Sequence, residues 1–129
     1  MIVIADTSPI RYLALLGHAD LLPKLYGVVI VPTAVLAEMR AIGSPVVVKE
    51  FCDDIPDWLE VKPLSKPVSR DLLAVLDLGE SEAIQLAMEI NADLMLIDER
   101  RGRNVAASLG LDLHRNPRRP ANCSRERLD

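Results

Sequence analysis

Two short apolar runs, each followed by an aspartate, are the sequence feature that most constrains the fold of this chain. Residues 2–5 read Ile-Val-Ile-Ala before Asp6, and residues 94–97 read Leu-Met-Leu-Ile before Asp98. Uninterrupted apolar runs of this length are typical of strands that are buried on both faces of a parallel sheet. Because ligands bind beyond the carboxyl ends of such strands, the two aspartates indicate one shared acidic pocket.

Segments with helical patterns separate these runs. Further strands are expected at 28–31 and 58–61, and helices at about 19–25, 33–42, 46–51, 69–76, 80–90 and 100–109. Leu78-Gly79 is expected to end the helix at 69–76. Another helix is expected after Ser8, whose hydroxyl would cap it ahead of Pro9. Strands that alternate with helices at this spacing predict an α/β fold, a three-layer α/β/α sandwich with a central parallel sheet and right-handed crossovers.

Composition narrows the class of function. The 129 residues fit one domain, carry a net charge of −4 and include only one Trp, two Tyr and one Phe. So few aromatic residues disfavour a surface that binds single strands by stacking bases. The negative charge disfavours a simple DNA-binding module, but not a nuclease whose carboxylates are neutralised by bound metal ions. The two isolated cysteines lack zinc-ligand spacing, and without a leader or membrane-spanning run a cytoplasmic protein is expected.

Helical spacing distinguishes two neighbouring glutamates. Apolar residues follow Glu80 at three, four and seven positions, which places Glu80 on the inward face of its helix. Glu38 lies at the edge of a similar apolar stripe. Glu82 instead aligns with Gln85 and Glu89 on what the pattern predicts to be a solvated face.

Four carboxylates are therefore expected to converge, namely Asp6, Glu38, Glu80 and Asp98. Like charges at short range raise each other's pKa and destabilise a site unless a cation is present. Oxygen ligands without His or Cys suit Mg²⁺ or Mn²⁺, which can activate water and stabilise an in-line phosphoryl displacement. Ser8 could add a hydroxyl to this pocket.

Each of these residues also has an ordinary structural interpretation. An aspartate after a strand is commonly a turn residue or a helix cap, and a first-turn glutamate is favoured by the helix dipole. Three basic residues after Asp98 could bind substrate phosphate or simply form a charged helix face; they are Arg100, Arg101 and Arg103. The four acids taken together are a stronger signal than any one of them.

Four segments follow one another along the chain, namely Asp6-Thr7-Ser8-Pro9, Val31-Pro32 with Val35-Leu36-Ala37-Glu38, Leu78-Gly79-Glu80-Ser81-Glu82-Ala83-Ile84 with Leu86-Ala87, and Leu96-Ile97-Asp98-Glu99-Arg100. In this order they resemble the PIN-domain ribonucleases, most closely the VapC-type toxins of bacteria and archaea. The similarity covers residues 1–112. No single segment is specific, but four in register are.

The resemblance implies a metal-dependent endoribonuclease that uses Mg²⁺ or Mn²⁺ and cuts RNA. It also implies an antitoxin protein that blocks the site and, frequently, a homodimer. By motif position, Asp6, Glu38, Glu80 and Asp98 match the acidic residues of the family, and Glu82 and Glu99 are secondary candidates.

The resemblance ends at residue 112, and residues 113–129 form a basic, proline-broken tail that is expected to be poorly ordered. Similar proteins carry a segment like Thr-Gly-Thr-Leu-Gly-Val-Leu here. Codons for residues 114–121 permit that segment when read one nucleotide later, so a frameshift near residue 113 is a hypothesis that the gene's nucleotide sequence decides. A genuine basic extension that contacts RNA is the alternative.

Two other classes of protein stay open. A receiver-like domain would use a strand-end aspartate as a phosphate acceptor, but it needs a downstream strand-end lysine, and no lysine follows Lys66. A non-catalytic PIN-like interaction protein is the second alternative, because intact acids do not prove an assembled site.

Overall fold

The computed structural model describes residues 1–41 and 43–97. In chain order these residues form β1 (Val3–Ala5), α1 (Thr7–Leu16), α2 (Leu21–Tyr26), β2 (Val29–Pro32), α3 (Thr33–Arg40), α4 (Val46–Asp53), β3 (Leu59–Lys62), α5 (Arg70–Leu73), α6 (Leu78–Glu89) and β4 (Leu94–Leu96). The strands lie within about one or two residues of the predicted segments.

The described strands form one parallel sheet in the order β3-β2-β1-β4. Strand β1 pairs with β4 so that Ala5 lies opposite Leu96, and the Asp6 N–H donates to the Leu96 carbonyl at 3.0 Å. The chain leaves β1 toward β2 on one side and returns as β4 on the other, which makes the β1–β4 boundary the switch point of the sheet. Receiver domains place β3 beside β1 instead, so the receiver-like alternative is wrong.

Successive strand residues point to opposite faces of the sheet and enter two separate cores. Val3 and Ala5 pack with helices α1 to α4, whereas Ile4 packs with α5 and α6. The same alternation in β4 sends Leu94 and Met95 to opposite cores. Helices therefore cover both faces, and the predicted three-layer α/β/α sandwich is confirmed.

Helix α1 begins earlier than predicted, and Ser8 does not cap it. The cap is Asp6, whose side chain accepts a hydrogen bond from the Thr7 N–H at 2.7 Å. Because β1 runs directly into α1, the strand-end aspartate reaches the helix N-terminus before the serine does. Ser8 is instead the second helical residue.

Helix α6 also begins two residues before its predicted start at Glu80. Asp77 accepts from the Glu80 N–H at 2.8 Å, and the Glu80 side chain accepts from the Asp77 N–H at 3.2 Å. This reciprocal pair is a capping box. It starts the helix at Leu78, although Leu78-Gly79 had the pattern of a helix stop. The preceding helix is only α5, which Ser69 caps.

The prediction of a solvated face on α6 is wrong. Gln85 is only 8% exposed: it accepts from the Ser69 N–H at 2.7 Å and donates to the Pro67 carbonyl at 2.9 Å. Glu89 accepts from the Ser65 N–H at 2.8 Å. The segment between β3 and α5 thus lies against this face and uses its polar side chains as anchors.

Within the described residues no helix is long and apolar enough to cross a membrane. The helix predicted at 100–109 and the tail at 113–129 lie outside those residues, as does Ile42, the predicted end of the helix that becomes α3.

Candidate active site

Asp6 lies where β1 ends at the switch point of the sheet. It is 2% exposed, which is unusual for a carboxylate and costs free energy unless partners compensate. Its one strong local partner is the backbone of α1, through the cap on Thr7 described above. Asp6 is therefore fixed in place by the strand before it and the helix after it.

Glu38 comes to the same region from α3 and is half-buried. Its Oε1 accepts a hydrogen bond from Thr7 Oγ1 at 3.0 Å, and its carboxylate also accepts from the Gly79 backbone N–H at the start of α6. A Cβ at Gly79 would lie 2.7 Å from Glu38 Cδ, which is closer than side chains allow. Glycine at this position leaves room for the Glu38 carboxyl group, which a side chain would displace.

Glu80 enters the cluster from the first turn of α6 and is 7% exposed. The capping box with Asp77 fixes its side chain. Its charge raises the pKa of Asp6, so the two carboxylates interact, as the inward periodicity of Glu80 predicted.

Burial and the neighbouring acids shift the ionisation of this cluster. Burial is the largest effect on the pKa of Asp6, and together with the charges of Glu80, Asp77 and Glu38 it raises this pKa to about 7, although the hydrogen bond from Thr7 lowers it. Burial also raises the pKa of Glu38, opposed by the Thr7 hydroxyl. Without a cation, Asp6 is therefore only partly ionised near neutral pH.

Asp77 is a member of this cluster that the sequence did not identify. Its charge raises the pKa of both Asp6 and Glu38. The signal that could have found it is the Asp-x-x-Glu spacing of Asp77 and Glu80, which is the signature of a capping box. Reading Leu78-Gly79 as a stop obscured that signature.

Of the remaining predicted site residues, the structure describes only Ser8 and Glu82. Ser8 is half-buried in the first turn of α1. Glu82 is half-buried on α6, where it accepts from the Ala34 N–H at 3.2 Å. Five candidates lie outside the described residues, namely Asp98, Glu99, Arg100, Arg101 and Arg103.

The donor chemistry of the cluster fits a hard divalent cation. Buried carboxylates that raise each other's pKa are stabilised when a cation neutralises them, and their oxygens are ligands that Mg²⁺ and Mn²⁺ prefer. Within residues 1–41 and 43–97, however, no three His, Cys, Asp or Glu side chains lie close enough to hold one ion. A ligand set of three would need a rearrangement of these side chains or a donor beyond residue 97.

Comparison with known families agrees with this fold. A family model described as a PIN domain matches residues 2–115. The chain belongs to the PIN-domain family, a nuclease-like family whose members typically use divalent metals. No curated protein and no solved structure matched the chain.

Proposed function

We propose that this protein is a divalent-metal-dependent endoribonuclease that hydrolyses RNA phosphodiester bonds. The observation that carries the proposal is the buried Asp6 at the switch point of the sheet, with its pKa raised to about 7 beside Glu80, Asp77 and Glu38. Such a cluster is costly for a protein that uses it only for structure. In a PIN-domain chain, a cation site for phosphodiester cleavage accounts for that cost.

Asp6, Glu38, Glu80 and Asp98 are the residues that would hold Mg²⁺ or Mn²⁺. When bound, the ion would stabilise the charge that develops on the phosphodiester and lower the pKa of the attacking water. The Thr7 hydroxyl orients Glu38 through its Oε1, and the capping box orients Glu80. Ser8 and the basic residues Arg100, Arg101 and Arg103 are proposed to contact substrate phosphate.

The biological setting we propose is a toxin–antitoxin pair. The motif resemblance to VapC-type toxins supports this, and it suggests an antitoxin protein that blocks the acidic cluster and a homodimeric toxin.

The test is cleavage of a mixed RNA substrate by the purified full-length chain, with Mn²⁺ or Mg²⁺ and with EDTA. The expected result is cleavage that EDTA abolishes and that Asp6→Asn and Glu38→Gln each reduce at least about a hundredfold, about 2.7 kcal/mol of transition-state stabilisation. The matched control is Asp20→Asn, an exposed aspartate that pairs with Lys24 away from the cluster. Cleavage that survives EDTA or both site variants would refute the proposal.

A non-catalytic PIN-like interaction protein is the alternative to be distinguished. It is favoured by the absence of a three-ligand group within residues 1–41 and 43–97. Binding of RNA or of a partner protein without any metal-dependent cleavage would support it.

A further inference from the structure

Helices α3 and α6 each provide a glutamate side chain that accepts a hydrogen bond from the N-terminal backbone of the other helix. Glu82 of α6 accepts a hydrogen bond from the Ala34 N–H of α3 at 3.2 Å. In return, Glu38 of α3 accepts from the Gly79 N–H of α6. Ala34 and Gly79 are each the second residue of their helix, where the backbone N–H has no partner within the helix. Each helix therefore caps the other.

The two contacts matter to different degrees, because only α3 lacks a side-chain cap of its own. Helix α6 has its own cap in Asp77. Helix α3 follows Pro32, whose side chain has no acceptor atom and makes no cap. Glu82 therefore supplies to α3, from a neighbouring element, the side-chain cap that its own sequence lacks.

The position of α3 matters because this helix carries Glu38. The Glu38 carboxylate reaches both the Thr7 hydroxyl and the Gly79 N–H, and it fills the space that a Cβ at Gly79 would occupy. A displacement of α3 would lengthen these contacts. The Glu82 cap lies on the same pair of helices and opposes such a shift.

We infer that Glu82 is a positioning residue, which caps α3 and so holds Glu38 beside Asp6, and that it acts as a hydrogen-bond acceptor rather than as a metal ligand. The inference rests on the proposed function, in which Glu38 serves the cation site. It separates Glu82 from the acids of the cluster, although the motif resemblance makes Glu82 a secondary acidic candidate. An acceptor role and a ligand role make different demands on the side chain, because a neutral amide oxygen can cap a helix but is a weak replacement for a charged ligand.

The experiment compares Glu82→Gln, which keeps an acceptor oxygen, with Glu82→Ala, which removes it, in the full-length chain. Glu89→Ala is the matched control, since Glu89 lies on the same helix and accepts from the backbone N–H of Ser65, away from the acidic cluster. The readouts are hydrogen exchange of the Ala34 amide by NMR and the Mn²⁺ concentration that gives half-maximal thermal stabilisation. RNA cleavage is measured in parallel.

Glu82→Ala is expected to speed exchange at Ala34 and raise the half-maximal Mn²⁺ concentration, each about fivefold, as loss of one helix cap allows. Glu82→Gln and Glu89→Ala are expected to stay within about twofold of the unsubstituted protein in both readouts, a margin small against one cap. If Glu82→Gln fails in Mn²⁺ binding as Glu82→Ala does, the charge itself is required and the inference is overturned. Unchanged Ala34 exchange in Glu82→Ala also overturns it.

A readout on the unsubstituted protein covers the case in which Glu82→Ala does not fold. A hydrogen bond from the Ala34 N–H to the Glu82 carboxylate should give a through-bond NMR coupling between the Ala34 nitrogen and the Glu82 side-chain carboxyl carbon. An Ala34 amide without that coupling in the unsubstituted protein overturns the cap. If the unsubstituted protein neither binds Mn²⁺ nor cleaves RNA, the proposed function fails, whereas the Ala34 readouts still decide whether the cap exists.

Discussion

Thr7 Oγ1 donates a hydrogen bond to Glu38 Oε1 at 3.0 Å, and this bond links the start of α1 to a helix 31 residues further along the chain. The Thr7 backbone N–H meanwhile donates to Asp6 Oδ1 at 2.7 Å. One residue thus serves two acids of the cluster, one through its backbone and one through its side chain. The bond from the Thr7 side chain lowers the pKa of Glu38, so Thr7 favours the ionised form that a cation requires.

Replacing Thr7 by valine should weaken cation binding without unfolding the protein. Valine keeps the volume but removes the donor to Glu38, so the Glu38 pKa should rise further and the stability should fall by about 1 kcal/mol. Isothermal titration with Mn²⁺ at neutral pH measures the effect. Thr7→Ser, which keeps the hydroxyl, should bind Mn²⁺ like the unsubstituted chain; equal binding by all three proteins would exclude the orienting role.

Asp6→Asn should remove most of the pH dependence of stability measured without divalent cations. The folded-state pKa of Asp6 is raised from 3.8 to about 7, so the folded protein holds an extra proton between these values. Stability is therefore greatest at low pH within this window and falls as pH rises through about 7, by an amount on the order of 4 kcal/mol if Asp6 alone contributes.

Asparagine can still cap α1, because its side-chain oxygen replaces the carboxylate. Urea unfolding from about pH 4 to about pH 7.5 should thus give a falling stability for the unsubstituted chain and a flatter profile for Asp6→Asn, with a residual slope from Glu38. Parallel profiles for the two proteins would mean that Asp6 is not the buried titrating group.

The effect of Gly79→Ala on the free energy of unfolding should change sign when Glu38 is also replaced. In the unsubstituted protein the new Cβ would overlap the Glu38 carboxyl group, so stability should fall. In a Glu38→Ala background the overlap is gone, and the better helix propensity of alanine should stabilise α6 by up to about 1 kcal/mol. A double-mutant cycle by denaturant unfolding measures this coupling, and an effect of the same sign and size in both backgrounds would contradict the contact.

Gln85→Met should destabilise the protein by about 2 kcal/mol although it preserves size, because buried backbone groups lose their partners. Gln85 accepts from the Ser69 N–H and donates to the carbonyls of Lys66 and Pro67. Gln85→Glu keeps the acceptor for Ser69 but sets a carboxylate against the two carbonyls and the Glu89 carboxylate, so thermal unfolding should place it no higher than methionine. If methionine is tolerated without loss, Gln85 does not anchor the segment after β3.

The sequence predicted those parts of the fold that depend on local patterns. Apolar runs placed β1 and β4, and Asp6 lies at the end of β1 as predicted. The pocket that Asp6 was predicted to share with Asp98 stays a prediction, because Asp98 lies outside the described residues. The inward position of Glu80 followed from helical periodicity alone. The neighbouring charges of Glu38 and Glu80 at Asp6 are what that reasoning anticipated.

The predictions failed for residues whose surroundings are set by a segment that is distant in the sequence. Periodicity placed Gln85 on the face opposite Glu80, but it could not show that the segment before α5 would cover that face. Asp77 was missed because a glycine at the second helical position looks like a stop, whereas here it makes room for Glu38. Such contacts join residues that are distant in sequence, and no local pattern reports them.

Proton release on cation binding tests the central claim most directly. The pKa of Asp6 is raised to about 7, so this carboxyl group is largely protonated just below that pH in the cation-free protein, and carboxylates must lose protons to bind a metal. Mn²⁺ titration calorimetry at about pH 6.5, in buffers of different ionisation enthalpy, should give release of roughly one proton per protein for the unsubstituted chain and far less for Asp6→Asn. Saturable Mn²⁺ binding without proton release, or with equal release by both proteins, would show that the cation binds elsewhere and would contradict the proposed site.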